Sequence, residues 1–206
     1  MSRTKTIPSD VLLSSELLSA EDSFSLSIEL NQRLQLTASE IIELDLPARN
    51  RVDALLQKEF LKEEQLRELA CDFAEHTLRV FEWYYPSDLR PRNFVESARL
   101  HYAGKIDRER LKKSFIETWN SIEGFNEGRY KAAFASGLAV SLLYSGEAGK
   151  MAQGVALWSQ NAVHLKKWED RRSNFEPMTG RERESVWQLK HIAKKLAGVP
   201  SMLRSR

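Results

Sequence analysis

The chain of 206 residues contains a single cysteine, Cys71, and no long hydrophobic run. One cysteine excludes an internal disulfide and argues against a cysteine-based zinc site. No stretch reaches the roughly 18 consecutive apolar residues that a membrane-spanning helix needs. Residues 1–8 are basic, but polar residues at 9–10 and 14–16 interrupt any apolar core of a secretory signal. We therefore expect a cytoplasmic protein with no membrane partner, in which Cys71 is a small buried hydrophobic residue.

Familiar catalytic motifs are also missing. The sequence has no glycine-rich phosphate loop, no H-E-x-x-H, no G-x-S-x-G and no EF-hand spacing. Four histidines lie singly on four different predicted helices: His76, His101, His164 and His191. None has a glutamate three residues before it, the spacing that ferritin-like metal sites use. We interpret them as isolated surface or core histidines.

Acidic side chains crowd the longest predicted helix, where Asp72, Glu75 and Glu82 lie near His76. Paired carboxylates can perform acid–base chemistry when burial separates their pKa values. Nothing in the sequence indicates a cleft over them, so we interpret them as a solvated flank. The sequence predicts no catalytic residue, no bound metal, no cofactor and no enzymatic activity. A metal-dependent enzyme built on bundle carboxylates and histidines is the alternative hypothesis.

The net charge of +2 conceals an asymmetry along the chain. Residues 1–149 carry 19 Lys and Arg against 24 Asp and Glu, whereas residues 150–206 carry 12 against 5. An acidic body joined to a basic C-terminal part could meet a charged partner on either surface. The basic, aromatic-bearing segment 166–206 leaves nucleic-acid binding as a further alternative. The absence of a recognised nucleic-acid-binding module and a pI of about 8.6 argue against it.

Helical signals become consistent from residue 37 onward. Thr37 and Glu40 have the spacing of a capping box. Pro47 then opens a segment whose residues Val52, Leu55, Leu56 and Phe60 share one helical face. The longest predicted helix runs from about Lys62 to Tyr85, where Pro86 ends it. Further helices are predicted over about 90–103, 107–122, 129–144, 147–168 and 179–196.

These elements predict an all-α fold, a single-domain helical bundle of six to seven helices. Residues 37–198 form the predicted helical domain and 199–206 a flexible tail. Residues 1–36 are an N-terminal extension in which alternating apolar residues at 24–30 suggest a short hairpin or arm, with 33–36 returning as its partner. Apolar residues at four-residue steps leave a helix open for the same stretch.

The five tryptophans lie near apolar stripes: Trp83, Trp119, Trp158, Trp168 and Trp187. With Tyr84 and Tyr85 they could form a base-stacking surface or a protein-binding hot spot. We interpret them as core residues, with Trp168 as the exception because Lys166, Lys167, Arg171 and Arg172 surround it.

Residues 70–104 carry the most specific local pattern. Ala-Cys and Ala-Glu pairs on the long helix are followed by Phe-Glu, Pro-x-Asp and Arg-Pro-Arg, and the next helix closes at a glycine. The residues are Ala70, Cys71, Ala74, Glu75, Phe81, Glu82, Pro86, Asp88, Arg90, Pro91, Arg92 and Gly104. Over about residues 40–168 the chain resembles a bacterial family described as immunity proteins of polymorphic toxin systems.

The resemblance implies an all-helical protein that binds and neutralises a cognate toxin by protein–protein contact. Its motif residues here are Phe81, Glu82, Asp88, Arg90, Pro91 and Arg92, for which we expect a structural role at a helix corner. Asp88 can accept from the helix N-terminal amides, and Pro91 pre-sets the first turn. The arginines can reach back to Glu82 or to a neighbouring helix. A basic nuclease as partner would favour an interface within the acidic residues 40–127.

Overall fold

The computed structural model describes residues 6–8, 35–123, 147–169 and 180–198, with only the backbone for 7–8, 119–123 and 164–169. These residues form two short strands and seven helices. In chain order they are β1 (Thr6–Pro8), β2 (Gln35–Thr37), α1 (Ala38–Glu43), α2 (Ala48–Leu55), α3 (Glu63–Tyr84), α4 (Arg90–Tyr102), α5 (Arg108–Glu123), α6 (Ala148–Glu169) and α7 (Gly180–Leu196). The prediction of an all-α helical bundle is confirmed.

The two strands form a small antiparallel ladder at the entry to α1. Thr6 pairs with Thr37, and Pro8 pairs with Gln35. Leu36, between the paired ends of β2, is fully buried and belongs to the core of the helices. The hairpin or arm was predicted over 24–30 with 33–36 as its partner. Of these residues only Gln35 and Leu36 are described, and they pair with β1; residues 24–34 fall outside the described residues.

The first helix begins where the sequence predicts. The Glu40 amide donates to the Thr37 hydroxyl at 3.3 Å, and the Glu40 carboxylate accepts from the Thr37 amide at 2.8 Å. This reciprocal pair satisfies two of the amides that a helix start leaves without intrahelical partners.

The segment after Pro47 differs from the prediction of one helical face reaching Phe60. Helix α2 ends at Leu55, because Leu56 leaves helical geometry with φ −80° and ψ 47°. Leu56, Phe60 and Leu61 are nevertheless buried in the core. A Cβ on Gly149 would lie 3.0 Å from the Leu56 carbonyl oxygen, so this turn packs directly on the start of α6. Tertiary packing therefore ends α2 earlier than the apolar spacing indicates.

Helix α3 spans the bundle over about 33 Å. It starts one residue after the predicted position and ends one residue before it. The Gln65 side chain accepts from the Lys62 amide at 3.0 Å at its start. Tyr85 leaves helical geometry at its end, because the residue before Pro86 is disfavoured there.

The next two helices also follow local signals. Helix α4 ends at Tyr102, and Gly104 follows two residues later with a φ of +69°, a conformation that glycine adopts without steric cost. The Asp107 carboxylate then accepts from the Arg110 amide at 2.8 Å and caps α5. The glycine that closes α4 was predicted from the sequence, and α5 begins one residue after the predicted start at 107.

Helix α3 packs most extensively on α6, and α7 packs on α6 and α2, while α4 lies against α3 and α5. A Cβ on Gly180 would lie 2.7 Å from the Val163 carbonyl oxygen, so α7 begins in direct contact with the α6 backbone. The predicted helix at 129–144 and the predicted tail at 199–206 fall outside the described residues. Within the described part of the chain, no helix combines the length and the apolar character required to span a membrane.

Candidate functional site

The motif residues meet where α3 turns into α4. Phe81 is buried in the core, and Pro91 is buried in the first turn of α4. The Asp88 carboxylate accepts from the Arg90 amide at 3.2 Å and from the Arg90 guanidinium at 2.8 Å through each oxygen. These bonds hold the pKa of Asp88 below its ordinary value, because they favour the charged carboxylate.

A second ion pair joins the two helices across this corner. The Arg92 guanidinium donates to both carboxylate oxygens of Glu82, at 2.7 and 2.9 Å. Arg92 thus makes the predicted contact with Glu82, whereas Arg90 folds back onto Asp88. Both pairs are partly exposed and restrict the angle at which α4 leaves α3.

Apolar and aromatic side chains remain exposed beside these pairs. Trp83 is 75% exposed and Leu89 is 52% exposed. An open groove of about 650 Å³ runs along the turn that follows Trp83. Its lining residues are Tyr84, Tyr85, Pro86, Ser87, Asp88, Leu89, Arg90 and Asn93. We call Trp83, Leu89 and this groove the corner surface.

The prediction that Trp83 packs in the core is wrong. Phe81 occupies the inward position of the last turns of α3 and is almost fully buried. A residue two positions later lies about 200° further round the helix, which carries it away from the core. The side chains of Trp119 and Trp168 fall outside the described residues, and Trp158 is partly buried.

A different arrangement lies between α3 and α7, where Trp187 is sandwiched by two imidazoles. The His76 ring lies 3.6 Å from the indole, centroid to centroid, with 6° between the planes. The His191 ring lies 5.1 Å away on a plane tilted by 10°. The Phe73 ring packs edge-on against the indole, with the two ring centroids 6.1 Å apart. We call His76, Trp187 and His191 the histidine–tryptophan stack.

Each imidazole of the stack faces a buried carboxylate. His76 Nδ1 lies 3.1 Å from Glu184, and His191 Nε2 lies 2.9 Å from Asp72. The residues Glu184 and Asp72 are only 2% and 1% exposed. The Gln188 amide also donates to Glu184 at 3.3 Å. Two carboxyl groups are therefore held inside the bundle by specific hydrogen-bond partners, as buried polar groups require.

Arginines connect the stack to the corner. The Arg99 guanidinium donates to Asp72 at 2.8 Å and to Glu75 at 2.7 Å. Arg92, which clamps Glu82, also lies 3.7 Å from Glu75. A continuous series of polar contacts thus links α7, α3 and α4, from His191 through Asp72, Arg99, Glu75 and Arg92 to Glu82.

Burial and pairing have opposite effects on these groups. Burial alone raises the pKa of Asp72, but hydrogen bonds and charge from His191 and Arg99 together lower it below its ordinary value. Burial likewise lowers the pKa of Arg99, and the neighbouring acidic groups Cys71, Asp72 and Glu75 reverse the shift and raise it. Burial raises the pKa of the Cys71 thiol to about 12, so this cysteine is the predicted inert core residue.

The interpretation as a solvated flank is wrong for the buried Asp72 and the largely buried His76, whereas Glu75 and Glu82 remain partly exposed. Helix α3 is covered on several sides, by α6, α4 and α7, so its polar stripe lies at an interface. Along that interface the partners follow an antiparallel register in four-residue steps. The pairs are Glu68 with Lys195, Asp72 with His191, and His76 with Trp187.

That register is the signal that sequence reasoning missed. Glu68, Asp72 and His76 lie four residues apart on one helix and complement Lys195, His191 and Trp187 on another. His101 has a different environment, because its Nδ1 lies 3.1 Å from the Ile106 carbonyl oxygen. The side chain of His164 falls outside the described residues. Residues 6–8, 35–123, 147–169 and 180–198 contain no group of three or more His, Cys, Asp and Glu side chains arranged to bind a metal.

Comparisons with protein-family models, with curated proteins and with solved structures found no match to this chain.

Proposed function

We propose that this chain is an immunity-type protein that binds a cognate bacterial toxin through the corner surface and neutralises it by protein–protein contact. The motif that resembles such immunity proteins lies at residues 81–92, and the corner surface is built on those residues. The exposed indole of Trp83, which directly precedes the groove-lining Tyr84 in the chain, is the observation that supports the proposal most strongly.

An exposed tryptophan side chain leaves a large apolar area in water. Burying that area against a partner contributes favourable binding free energy. Tryptophan and arginine are enriched among interface residues that contribute most to affinity, and polar groups around them exclude water. At the corner, Trp83 and Leu89 supply apolar area, while the Arg90–Asp88 and Arg92–Glu82 pairs form a polar rim. The rim side chains are already held by bidentate bonds, which reduces the entropy lost on binding.

The proposal is tested by co-expressing the chain with the product of the adjacent open reading frame. We expect the two proteins to copurify and the chain to rescue growth from the toxicity of that product. Trp83→Ala should weaken binding by about 30-fold or more, the loss typical of an interface hot spot. Leu157→Ala, which truncates an exposed apolar residue on α6, serves as the matched control and should bind normally.

Two results would count against the proposal in different ways. Absence of both association and rescue would remove the toxin as the partner. Binding that Trp83→Ala leaves intact would retain a protein partner and reject the corner surface as its site.

One observation favours nucleic-acid binding as the second candidate. Arg183, Lys190 and Lys194 are exposed and lie along one face of α7. Phosphate contacts through this stripe would make retention on DNA or RNA fall steeply with salt. A binding curve that is flat even at low salt would dismiss this candidate.

A further inference from the structure

A small opening of about 240 Å³ lies between the first turns of α2 and α7. It is lined by Pro47, Ala48, Arg49, Arg181, Glu182 and Ser185. We call it the α2–α7 opening. Drug-sized ligands occupy pockets of roughly 300 to 1,000 Å³, so this opening suits a smaller molecule. The corner surface lies on other elements, at the turn from α3 to α4, and the two sites are independent.

Buried N–H donors without an acceptor lie at this junction of α2 and α7. Within residues 6–8, 35–123, 147–169 and 180–198, the buried atoms Arg181 Nε and Asn50 Nδ2 have no hydrogen-bond partner. Asn50 is only 2% exposed, and its Oδ1 accepts from Nε of Arg49, which lines the opening. Buried donors of this kind are rare and call for an acceptor that the protein does not supply, such as water or an ion.

Both arginines of the opening are held by neighbouring side chains. The Arg181 guanidinium donates through Nη2 to Asn161 on α6 at 2.7 Å. The Arg49 guanidinium donates through Nε to Asn50 at 3.2 Å. A guanidinium that is already fixed loses little conformational entropy when it binds a ligand. Its planar fork of N–H donors matches the oxygens of a phosphate or a carboxylate.

The start of α2 adds a backbone donor to the same opening. The Ala48 amide is the first of this helix, and no residue that the structure describes accepts from it or caps the helix with a side chain. Helix α7 begins at Gly180, directly before Arg181. The first amides of a helix and its dipole both favour a negative charge. Two helix starts and two guanidinium groups therefore favour an anion at this position.

Glu182 acts against that preference. It is exposed, whereas Arg181 is partly buried, so its carboxylate lies on the side of the opening that faces water. A bound anion would be repelled by this charge. The affinity of the opening for an anion should therefore increase when the carboxylate is removed.

We propose that the α2–α7 opening binds one small oxyanion of the phosphate class, held by the guanidinium groups of Arg49 and Arg181 and by the Ala48 amide. Its oxygens accept hydrogen bonds from several directions, as donors on two separate helices require. The bound anion bridges α2 and α7, so it stabilises the folded chain in proportion to its occupancy. Free phosphate and the phosphate group of a small organic molecule share this chemistry.

The test measures binding of inorganic phosphate to the full chain at pH 7 by isothermal titration calorimetry, at constant ionic strength. We expect one site per chain, and an increase with phosphate in the urea concentration at the unfolding midpoint. Arg181→Gln should weaken binding about tenfold or more, because a hydrogen bond between two charged groups is lost. Lys190→Gln is the matched control: it removes an exposed cation of α7 that does not line the opening, and it should bind like the wild type.

A second variant covers the case in which Arg181→Gln fails to fold. Glu182→Gln changes an exposed side chain and should tighten phosphate binding about fivefold, because the repulsion between like charges is removed. Glycerol 3-phosphate, titrated in parallel, distinguishes the two sources: tighter binding than that of phosphate indicates an organic phosphate, and equal or weaker binding indicates free phosphate.

Three results would overturn the proposal. The first is the absence of phosphate binding at millimolar concentration. The second is wild-type affinity in both Arg181→Gln and Glu182→Gln, which would place the anion elsewhere. The third is an equal loss of affinity in Arg181→Gln and Lys190→Gln, which would show attraction to the basic face of α7 in general.

Discussion

The corner surface and the histidine–tryptophan stack use the same kinds of residue under opposite conditions. Both place tryptophan beside carboxylates that are paired with basic groups. At the corner the paired residues are two and ten positions apart in the chain and partly exposed. At the stack they are 108 and 119 positions apart, and their carboxylates are buried.

The difference shows how burial changes the role of an ion pair. Exposed pairs are screened by water and contribute about 0 to 1 kcal/mol, so those at the corner mainly orient a turn. Removing one partner of a buried pair costs about 3 to 5 kcal/mol, because the other charge stays in the interior. The stack therefore fixes how α7 lies on α3, while the corner can present its aromatic residue to a partner.

The largest contrast is expected between two aspartates. Asp72→Ala should lower the free energy of unfolding by about 3 to 5 kcal/mol, since His191 loses its carboxylate and Arg99 loses one of two. Asp88→Ala removes only a helix-start acceptor and should cost about 1 kcal/mol. Urea unfolding of both variants at pH 7 measures the difference. Equal losses would contradict the assignment of Asp72 to a buried interface.

The two tryptophans provide the next contrast. Trp187→Ala should destabilise the fold by about 3 kcal/mol, because the ring is held between two imidazoles and Phe73. Trp83→Ala should change stability by about 0.5 kcal/mol or less, because its ring is mostly in water. Thermal unfolding followed by circular dichroism distinguishes the two. A large loss for Trp83→Ala would place that ring in a structural role.

The contributions of Asp72 and Asp88 to stability should also differ at low pH. The pKa of each is below its ordinary value in the folded chain, so each adds stability above that ordinary value, about pH 4. That stability is lost as the pH falls through the lower pKa that each aspartate has in the folded chain. We expect Asp72→Asn to flatten the acid limb of the stability curve more than Asp88→Asn does, measured by urea unfolding from pH 5 to 2.5. The reverse order would contradict the greater burial of Asp72.

The smallest effect is expected for the exposed clamp at the corner. Glu82→Gln should lower the free energy of unfolding by about 0.5 kcal/mol, because Arg92 keeps water and the nearby Glu75 as partners. The difference from wild type should shrink further in 1 M salt, where exposed charges are screened within about 3 Å. A loss above 2 kcal/mol that persists in high salt would show that this pair acts like the buried ones.

Much of the fold follows from signals read within a few residues. Thr37 and Glu40 form their capping box, Tyr85 ends α3 before Pro86, and Gly104 follows the end of α4. Such features depend on backbone geometry and on side chains close in sequence. The end of α2 was predicted less well, because the turn at Leu56 depends on its approach to Gly149.

The candidate sites also contain some features that nearby residues predict and others that depend on distant segments. The contact between Arg92 and Glu82 was predictable, because one helix turn and a short corner separate them. The exposure of Trp83 was not, since an apolar residue near a stripe is ordinarily buried. The stack was missed for a physical reason: its partners meet only after α7 has returned antiparallel to α3.

The amino-acid sequence by itself determined that this chain forms helices, where most of them begin and end, and which motif turns α3 into α4. These properties depend on local backbone preference and apolar spacing. Only the tertiary structure decided that Asp72, His76, Glu184 and His191 share one interior, and that Trp83 lies outside it. Burial and charge pairing are properties of packed helices, because water leaves a group only when a distant segment covers it.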